Sequence, residues 1–258
     1  MDLKIQHHLF VVGGATSGFG RAIAELLVSE GAEIIAVARN REQLEELQLS
    51  FPGQVEIISG DITRQEVIKN ITEIVSSRQL HGILVNAGGP PAMTVLDSKL
   101  EDWDQAYRTV LRWKVDLTQN LVSQMMQNNY GRILFIESAS VKQPMENLVL
   151  STSFRLAAVG YVKTLSQEIG PYGITVNVLA PGYHDTAAMN RIVEKKKQQT
   201  GVSEIEARNE FIKTTRVGFI GDAKDLASLA AWLLSPHSRY LTGQTLSVDG
   251  GTIKGIMG

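Results

Sequence analysis

Gly13-Gly14-Ala15-Thr16-Ser17-Gly18-Phe19-Gly20 follows the apolar run 9–13 and opens a helical pattern with Ala22, Ile23, Leu26 and Leu27 on one stripe. Glycines allow a tight turn and close backbone approach, and a helix N-terminus presents unpaired N–H groups to a pyrophosphate. The spacing Gly14-x3-Gly18-x-Gly20 is looser than the G-x-G-x-x-G string. Alone, such a loop is equally a flexible turn; strand, loop and helix in succession point to a dinucleotide. Further apolar runs at 33–38, 55–58, 82–86, 132–138, 175–179 and 245–248 alternate with amphipathic stretches such as Val67, Ile68, Ile71, Ile74 and Val75. Strands apolar on both faces, each followed by a helix, predict an α/β fold. The expectation is a single doubly wound (Rossmann) domain over 1–258 with a mainly parallel, seven-stranded sheet. An antiparallel alternative needs tight hairpins, and the Asp249-Gly250 pair falls after the last strand.

Composition removes several function classes. The 258 residues carry 25 basic and 27 acidic side chains and no cysteine. Disulfides, thiolate nucleophiles and cysteine-held metals are therefore excluded. A formal charge of −2 leaves no basic footprint for a nucleic-acid partner. The five histidines show no ligand spacing, so no metal site is expected. The chain start lacks a basic and then apolar leader, and the apolar stretch 226–234 is far short of the roughly 20 residues that cross a bilayer. A cytoplasmic protein without a membrane partner is the expectation.

The end of the second strand selects the nucleotide. An acidic residue about 20 positions beyond the loop binds the ribose 2′-hydroxyl in NAD sites. Here the position 39 − 20 = 19 beyond Gly20 is Arg39, followed by Asn40 and Arg41. A guanidinium there suits a 2′-phosphate, which favours NADP(H) over NAD(H). Arg41 alone reads as a surface residue of the next helix.

With these segments in place, the chain resembles the short-chain dehydrogenase/reductase family, and most closely its 3-oxoacyl-carrier-protein-reductase-like branch. The resemblance runs through Gly14–Gly20, Asp61-Ile62, Asn86-Ala87-Gly88, Ser138, and the stretch Gly173-Ile174-Thr175-Val176-Asn177. It continues through Pro181-Gly182 with Thr186, Leu241-Thr242-Gly243-Gln244, and Val248-Asp249-Gly250-Gly251. It implies a reductase acting on a small-molecule substrate, with Gly14, Thr16, Ser17, Gly18, Phe19 and Gly20 on the cofactor phosphates. It further implies Asp61 and Ile62 at the adenine, Asn86, Ala87 and Gly88 behind the ribose, and Pro181, Gly182 and Thr186 on the nicotinamide side. A homotetramer or homodimer built on long helices near 100–128 and 151–169 is also implied.

The catalytic pattern breaks, however. The family's reductases pair a tyrosine with a lysine four residues later, a serine about thirteen residues before the tyrosine, and an asparagine on the preceding helix. In this register the serine is Ser138, while the other three positions hold Ser151, Arg155 and Val110. An aliphatic hydroxyl is a far poorer acid than a phenol. Arginine can hold ribose hydroxyls but does not pass protons on. Ser138 and Ser151 remain candidates for a hydroxyl pair on a carbonyl oxygen, with Arg155 retaining a cofactor-holding role.

Two explanations fit. In one, hydride transfer proceeds without a strong side-chain acid, as in conjugate reduction of an enone, where water protonates a delocalised enolate. Replacement acids in that case are Tyr107 and Lys114, on the helix face of Val110, or Lys142, Tyr183 and His184. In the other, the chain binds NADP(H) without turnover, as a sensor or complex subunit. The polar segment 186–216, holding Glu194-Lys195-Lys196-Lys197, reads either as solvated helix or as a mobile lid over the substrate. Without cysteine or a G-x-S-x-G elbow, thiol and serine hydrolase chemistries drop out.

Overall fold

Residues 1–256 are described by a computed structural model. Strands form where apolar side chains can be shared between two covered faces. These are β1 (Leu9–Gly13), β2 (Glu33–Ala38), β3 (Val55–Ser59), β4 (Leu80–Val85), β5 (Gly131–Ile136), β6 (Ile174–Pro181) and β7 (Thr245–Val248). Every residue of β1, β5 and β6 is buried. All the strand pairings are parallel, in the order β3-β2-β1-β4-β5-β6-β7. The expected doubly wound α/β domain with seven parallel strands is therefore what the chain forms.

Alternation along the strands divides the core in two. Phe10, Val12, Ile34 and Ala36 face α1 (Gly18–Ser29), α2 (Arg41–Ser50) and α9 (Ala223–Leu233), against Ile23, Leu44 and Leu226. Val11, Ile35, Ile83 and Phe135 face the other way. There they meet Ile71 of α3 (Gln65–Val75), Leu117 of α5 (Trp113–Asn128) and Val162 of α6 (Val149–Ile169). Between β4 and α5 lies α4 (Leu100–Ala106), joined to α5 by a π-helical turn at Tyr107–Arg112. The stretch 100–128 is thus one helical run with a widened turn around Val110. Such widened turns are frequent at functional sites.

Two strands end earlier than their apolar runs imply, and both endings serve the loops beyond them. Asn86 leaves β4 to donate its side-chain amide to the Gly13 carbonyl at 3.0 Å. Beyond β5, Glu137 still donates its N–H to Leu179 at 2.8 Å. Ser138 then caps a short turn at Ala139–Val141, its hydroxyl accepting from the Ser140 N–H. The polar segment 186–216 folds as α7 (Ala187–Thr200) and α8 (Glu204–Thr214) around a small core of Met189, Val193 and Ala207.

Candidate active site

The carboxyl ends of the parallel strands bring the glycine loop, the β4 and β5 endings and the start of α7 together. Gly14 and Ala15 donate to the Val37 carbonyl, which holds the loop beside the end of β2. Three glycines are there because side chains would collide. A Cβ on Gly13 would sit 2.5 Å from the Asn86 carbonyl, and one on Gly20 would sit 2.1 Å from the Gly14 carbonyl. Gly14 has φ +66°, and its Cβ would lie 2.7 Å from the Asn86 amide nitrogen. Ser17 precedes α1 without a side-chain cap, and no acidic residue occupies the first turn. Its N–H groups are therefore left for an anion, and the glycines leave the room for one, so a pyrophosphate fits this cradle.

The remaining cofactor candidates surround that loop. Ile62 is buried, with its methyl end beneath Gly13. Asp61 follows β3 and accepts the Thr63 N–H at 3.0 Å, while Gly60 donates to Ala38 and so sets Asp61 beside the end of β2. Arg39 is exposed at that end and, among the described residues, makes no ion pair. Arg41 by contrast belongs to α2 and pairs with Glu45 at 2.8 Å, the surface role expected of it. Ala87 is half-buried and Gly88 exposed, just past Asn86. Thr186 lies against Gly18, where a Cβ would meet its methyl at 3.5 Å. Pro181 pairs with Val248, and Gly182 donates to the Val248 carbonyl at 2.9 Å.

Around Ser151 and Arg155 the chain builds a buried charge cluster. Arg155 donates from Nε to Ser151 Oγ at 3.1 Å, and from Nη1 to Glu137 Oε2 at 2.9 Å and the Ile136 carbonyl at 3.3 Å. The other Glu137 oxygen accepts from Lys114 Nζ at 2.5 Å. All four residues are buried, and the Glu137 side chain is completely so. Burial pushes the Lys114 ammonium down to about 8; the Glu137 carboxylate opposes that shift and the Arg155 charge reinforces it. Breaking such a set by removing one member leaves an uncompensated charge in a low dielectric.

Several sequence expectations take a different form. Ser138 and Ser151 share no hydrogen bond: Ser138 accepts from Ser140, and Ser151 accepts from Arg155. The two hydroxyls are held separately, and both still have a hydrogen to donate. Two further hydroxyls near them, Ser140 Oγ and Thr152 Oγ1, are buried without a partner. Of the replacement acids, Tyr107 is a half-exposed ring beside Phe154. Tyr183 packs on Phe211, and burial pushes its phenol up. Lys142 follows the turn after Ser138. His184 is buried edge-on to Phe19, with Nδ1 3.2 Å from the Gly182 carbonyl, and burial pushes its ring down. It joins the glycine loop to the base of α7. Lys114 is the one of these drawn into the charge cluster.

Glu137 was missed by sequence reading. The available signal was a carboxylate placed directly between the apolar run 133–136 and Ser138, since an acidic residue is almost never fully buried without partners. In the 186–216 segment, Lys196 pairs with Glu210 and lies over Phe211, while Lys197 pairs with Glu194. Arg208 ties Asp185, Asn190 and Glu204 together. The lysine run is thus partly committed to joining α7 to α8. Among the described residues, no group of three or more His, Asp or Glu side chains could hold a metal, and no helix is long and apolar enough to cross a membrane.

The family model described as Enoyl-(Acyl carrier protein) reductase matches residues 14–252. The chain belongs to the short-chain dehydrogenase/reductase family, as a 3-oxoacyl-carrier-protein-reductase-like member. It is 28% identical over 252 residues to the NADPH-dependent reductase BacG of Bacillus subtilis, covering 95% of this chain and 97% of that one. It is 29% identical over 249 residues to the 3-oxoacyl-[acyl-carrier-protein] reductase FabG of Haemophilus influenzae, covering 96% and 98%. The crystal structure of L-sorbose reductase from Gluconobacter frateurii, complexed with NADPH and L-sorbose, superposes with a TM-score of 0.93 at 26% identity, covering 99% and 100%.

Proposed function

We propose that the protein is an NADP(H)-dependent oxidoreductase that reduces a carbonyl or conjugated enone by a mechanism without the family tyrosine and lysine. One observation carries this reading: the two altered positions are not filled inertly, but with Ser151 and Arg155 locked into a buried cluster with Glu137 and Lys114. The NADPH-dependent relatives support the cofactor choice, as does the uncommitted Arg39 beside the loop.

When bound, NADPH supplies the hydride. Gly14, Thr16, Ser17, Gly18, Phe19 and Gly20 hold its phosphates, Arg39 the 2′-phosphate, and Asp61 and Ile62 the adenine. Asn86, Ala87, Gly88 and Arg155 back the ribose, with Pro181, Gly182 and Thr186 on the nicotinamide side. Ser138 and Ser151 donate their hydroxyl hydrogens to the acceptor oxygen. Neither serine is acidic enough to give that proton away, which favours a substrate whose product anion is an enolate that water protonates at carbon. The 186–216 segment acts as the lid over this pocket. Leu100, Tyr107 and Leu156 stay exposed on the long helices and suit a homotetramer or homodimer contact in a soluble, cytoplasmic enzyme.

The test follows NADPH absorbance with a panel of ketones and α,β-unsaturated carbonyls, alongside NADPH binding by fluorescence. Enone turnover that survives Ser151→Ala and is lost in Ser138→Ala is the expected result. Tight NADPH binding with no oxidation by any substrate overturns the enzyme reading in favour of the silent binder.

A further inference from the structure

Arg155 alone would neutralise Glu137, whose Oε1 is held by Lys114, so the second positive charge needs a reason beyond charge balance. A buried Glu–Arg pair is electrically neutral, and adding Lys114 gives the cluster a net charge of +1 in a region where charge is costly. The free end of that charge has a direction. Arg155 commits Nε to Ser151 and Nη1 to Ile136 and Glu137; among the described residues, Nη2 makes no hydrogen bond. Nη2 lies instead beside Gly89, on the exposed rim beyond Asn86-Ala87-Gly88, where a Cβ would come within 3.1 Å of it. The missing side chain at position 89 keeps an approach to Nη2 open, beside Ser151.

We propose that Lys114, Glu137 and Arg155 form a preorganised cationic oxyanion site, in which Arg155 Nη2 pairs with the negative oxygen of the substrate as it is reduced. This rests on the reductase reading above. Glu137 acts as a positioning residue that fixes the guanidinium plane. Lys114, on the far side of Glu137, cancels the carboxylate so that Arg155 presents a full charge to the pocket. The site takes over by electrostatics what a phenol does by donating a proton, and it needs no titratable acid. For the enone, hydride adds at the β-carbon, the carbon–carbon π pair shifts to form the enolate double bond while the carbonyl π pair moves onto oxygen, and water returns a proton to the α-carbon. Hydroxide is the only by-product, and the electron count closes on NADPH oxidised to NADP⁺.

The charged groups acting on Lys114 come from two neighbouring elements, Glu137 beyond β5 and Arg155 of α6, and its own neighbour Trp113 adds a ring 6.0 Å away. With the ammonium held near 8, the cluster carries +1 below that pH and becomes neutral above it. Crotonate, a planar unsaturated carboxylate with its charge on oxygen, reports this without turnover. Its binding to the full chain with NADP⁺, measured by calorimetry from pH 6 to 9.5, is expected to weaken about tenfold as pH rises through 8. Lys114→Met should bind crotonate about tenfold more weakly at pH 7 and show no such fall. Lys114→Arg should bind as the unaltered chain does at pH 7 and keep that affinity at pH 9.5.

Crotonate binding by the unaltered chain that is flat with pH, or undiminished in Lys114→Met, overturns the proposal even if that variant's kinetics change. If NADPH oxidation fails with every enone while the crotonate pattern holds, the reductase reading falls and the cluster stands as a site for a bound anion.

Discussion

At the carboxyl ends of the strands Lys114, Glu137 and Arg155 are buried as charges; at the amino ends His8, His81, Tyr130 and Arg132 form a largely aromatic plug. His8 stacks on His81 at 4.1 Å with an interplanar angle of 13°, and both rings meet the edge of Tyr130. Arg132 covers the Tyr130 ring at 4.5 Å and spends its N–H groups on backbone carbonyls of Gly131, Gly173 and Ser235. The Leu9 N–H donates to His81 Nδ1, a bond that needs the ring neutral at that nitrogen. Burial, then His81, then Arg132 push the His8 ring down to about 4, and burial also lowers His81. Neither His8 Nδ1 nor the Tyr130 hydroxyl has a partner. One end therefore spends carboxylate and guanidinium hydrogen bonds to keep charge under cover, and the other keeps its histidines uncharged. Buried carboxylate and ammonium groups are found at the end where the strands deliver loops to a ligand, while the other end keeps one guanidinium, held on carbonyls and an aromatic ring.

The largest expected effect removes the pivot of the charged end. Glu137→Ala leaves Lys114 and Arg155 buried without their anion and should cost on the order of 3–5 kcal/mol in urea unfolding. A change under about 1 kcal/mol would mean that the charges at this end do not depend on one another. Gly20→Ala is expected to act next, because its clash is with backbone. Its Cβ, 2.1 Å from the Gly14 carbonyl, must displace the loop and weaken NADPH binding by on the order of 100-fold in a fluorescence titration. Arg39→Ala is milder, with about a tenfold loss for NADPH and no loss for NADH, because only one of them carries the 2′-phosphate. Equal losses for both nucleotides would remove Arg39 from the phosphate.

The smallest effect belongs to the neutral end. His8 is harder to protonate folded than unfolded, so the unfolded chain takes up its proton first. Stability is then full above about pH 6.5 and falls as pH drops toward 4, by about 1 kcal/mol for this half-covered ring. His8→Phe should flatten that acid limb while leaving NADPH affinity unchanged. A mutant that keeps the whole acid limb would place its origin elsewhere and dissolve the contrast between the two ends.

The glycine loop was legible because its signal is local: strand, glycines and helix start lie within a dozen residues. The Arg39 expectation rests on the same kind of local signal, at a set distance along one βαβ unit. Ser138, Ser151 and Arg155 were found by register, and the structure brings Ser151 and Arg155 together one helical turn apart. What was not legible was the company they keep. Glu137 reads as the polar end of a strand until Lys114, 23 residues before it, and Arg155, 18 residues after it, converge on its two oxygens. The plug is less legible still, since its two stacked histidines are 73 residues apart.

By itself the sequence determined the layered α/β architecture and the parallel sheet implied by repeated strand–helix units. Periodicity and turn chemistry act over a few residues, so they can be read along the chain. Only the tertiary structure decided that Lys114 belongs with Arg155 rather than on a surface, and that His8 is held neutral. Burial and Coulomb attraction depend on distance through space, and the fold sets those distances by stacking helices on a sheet whose strands are not neighbours in sequence.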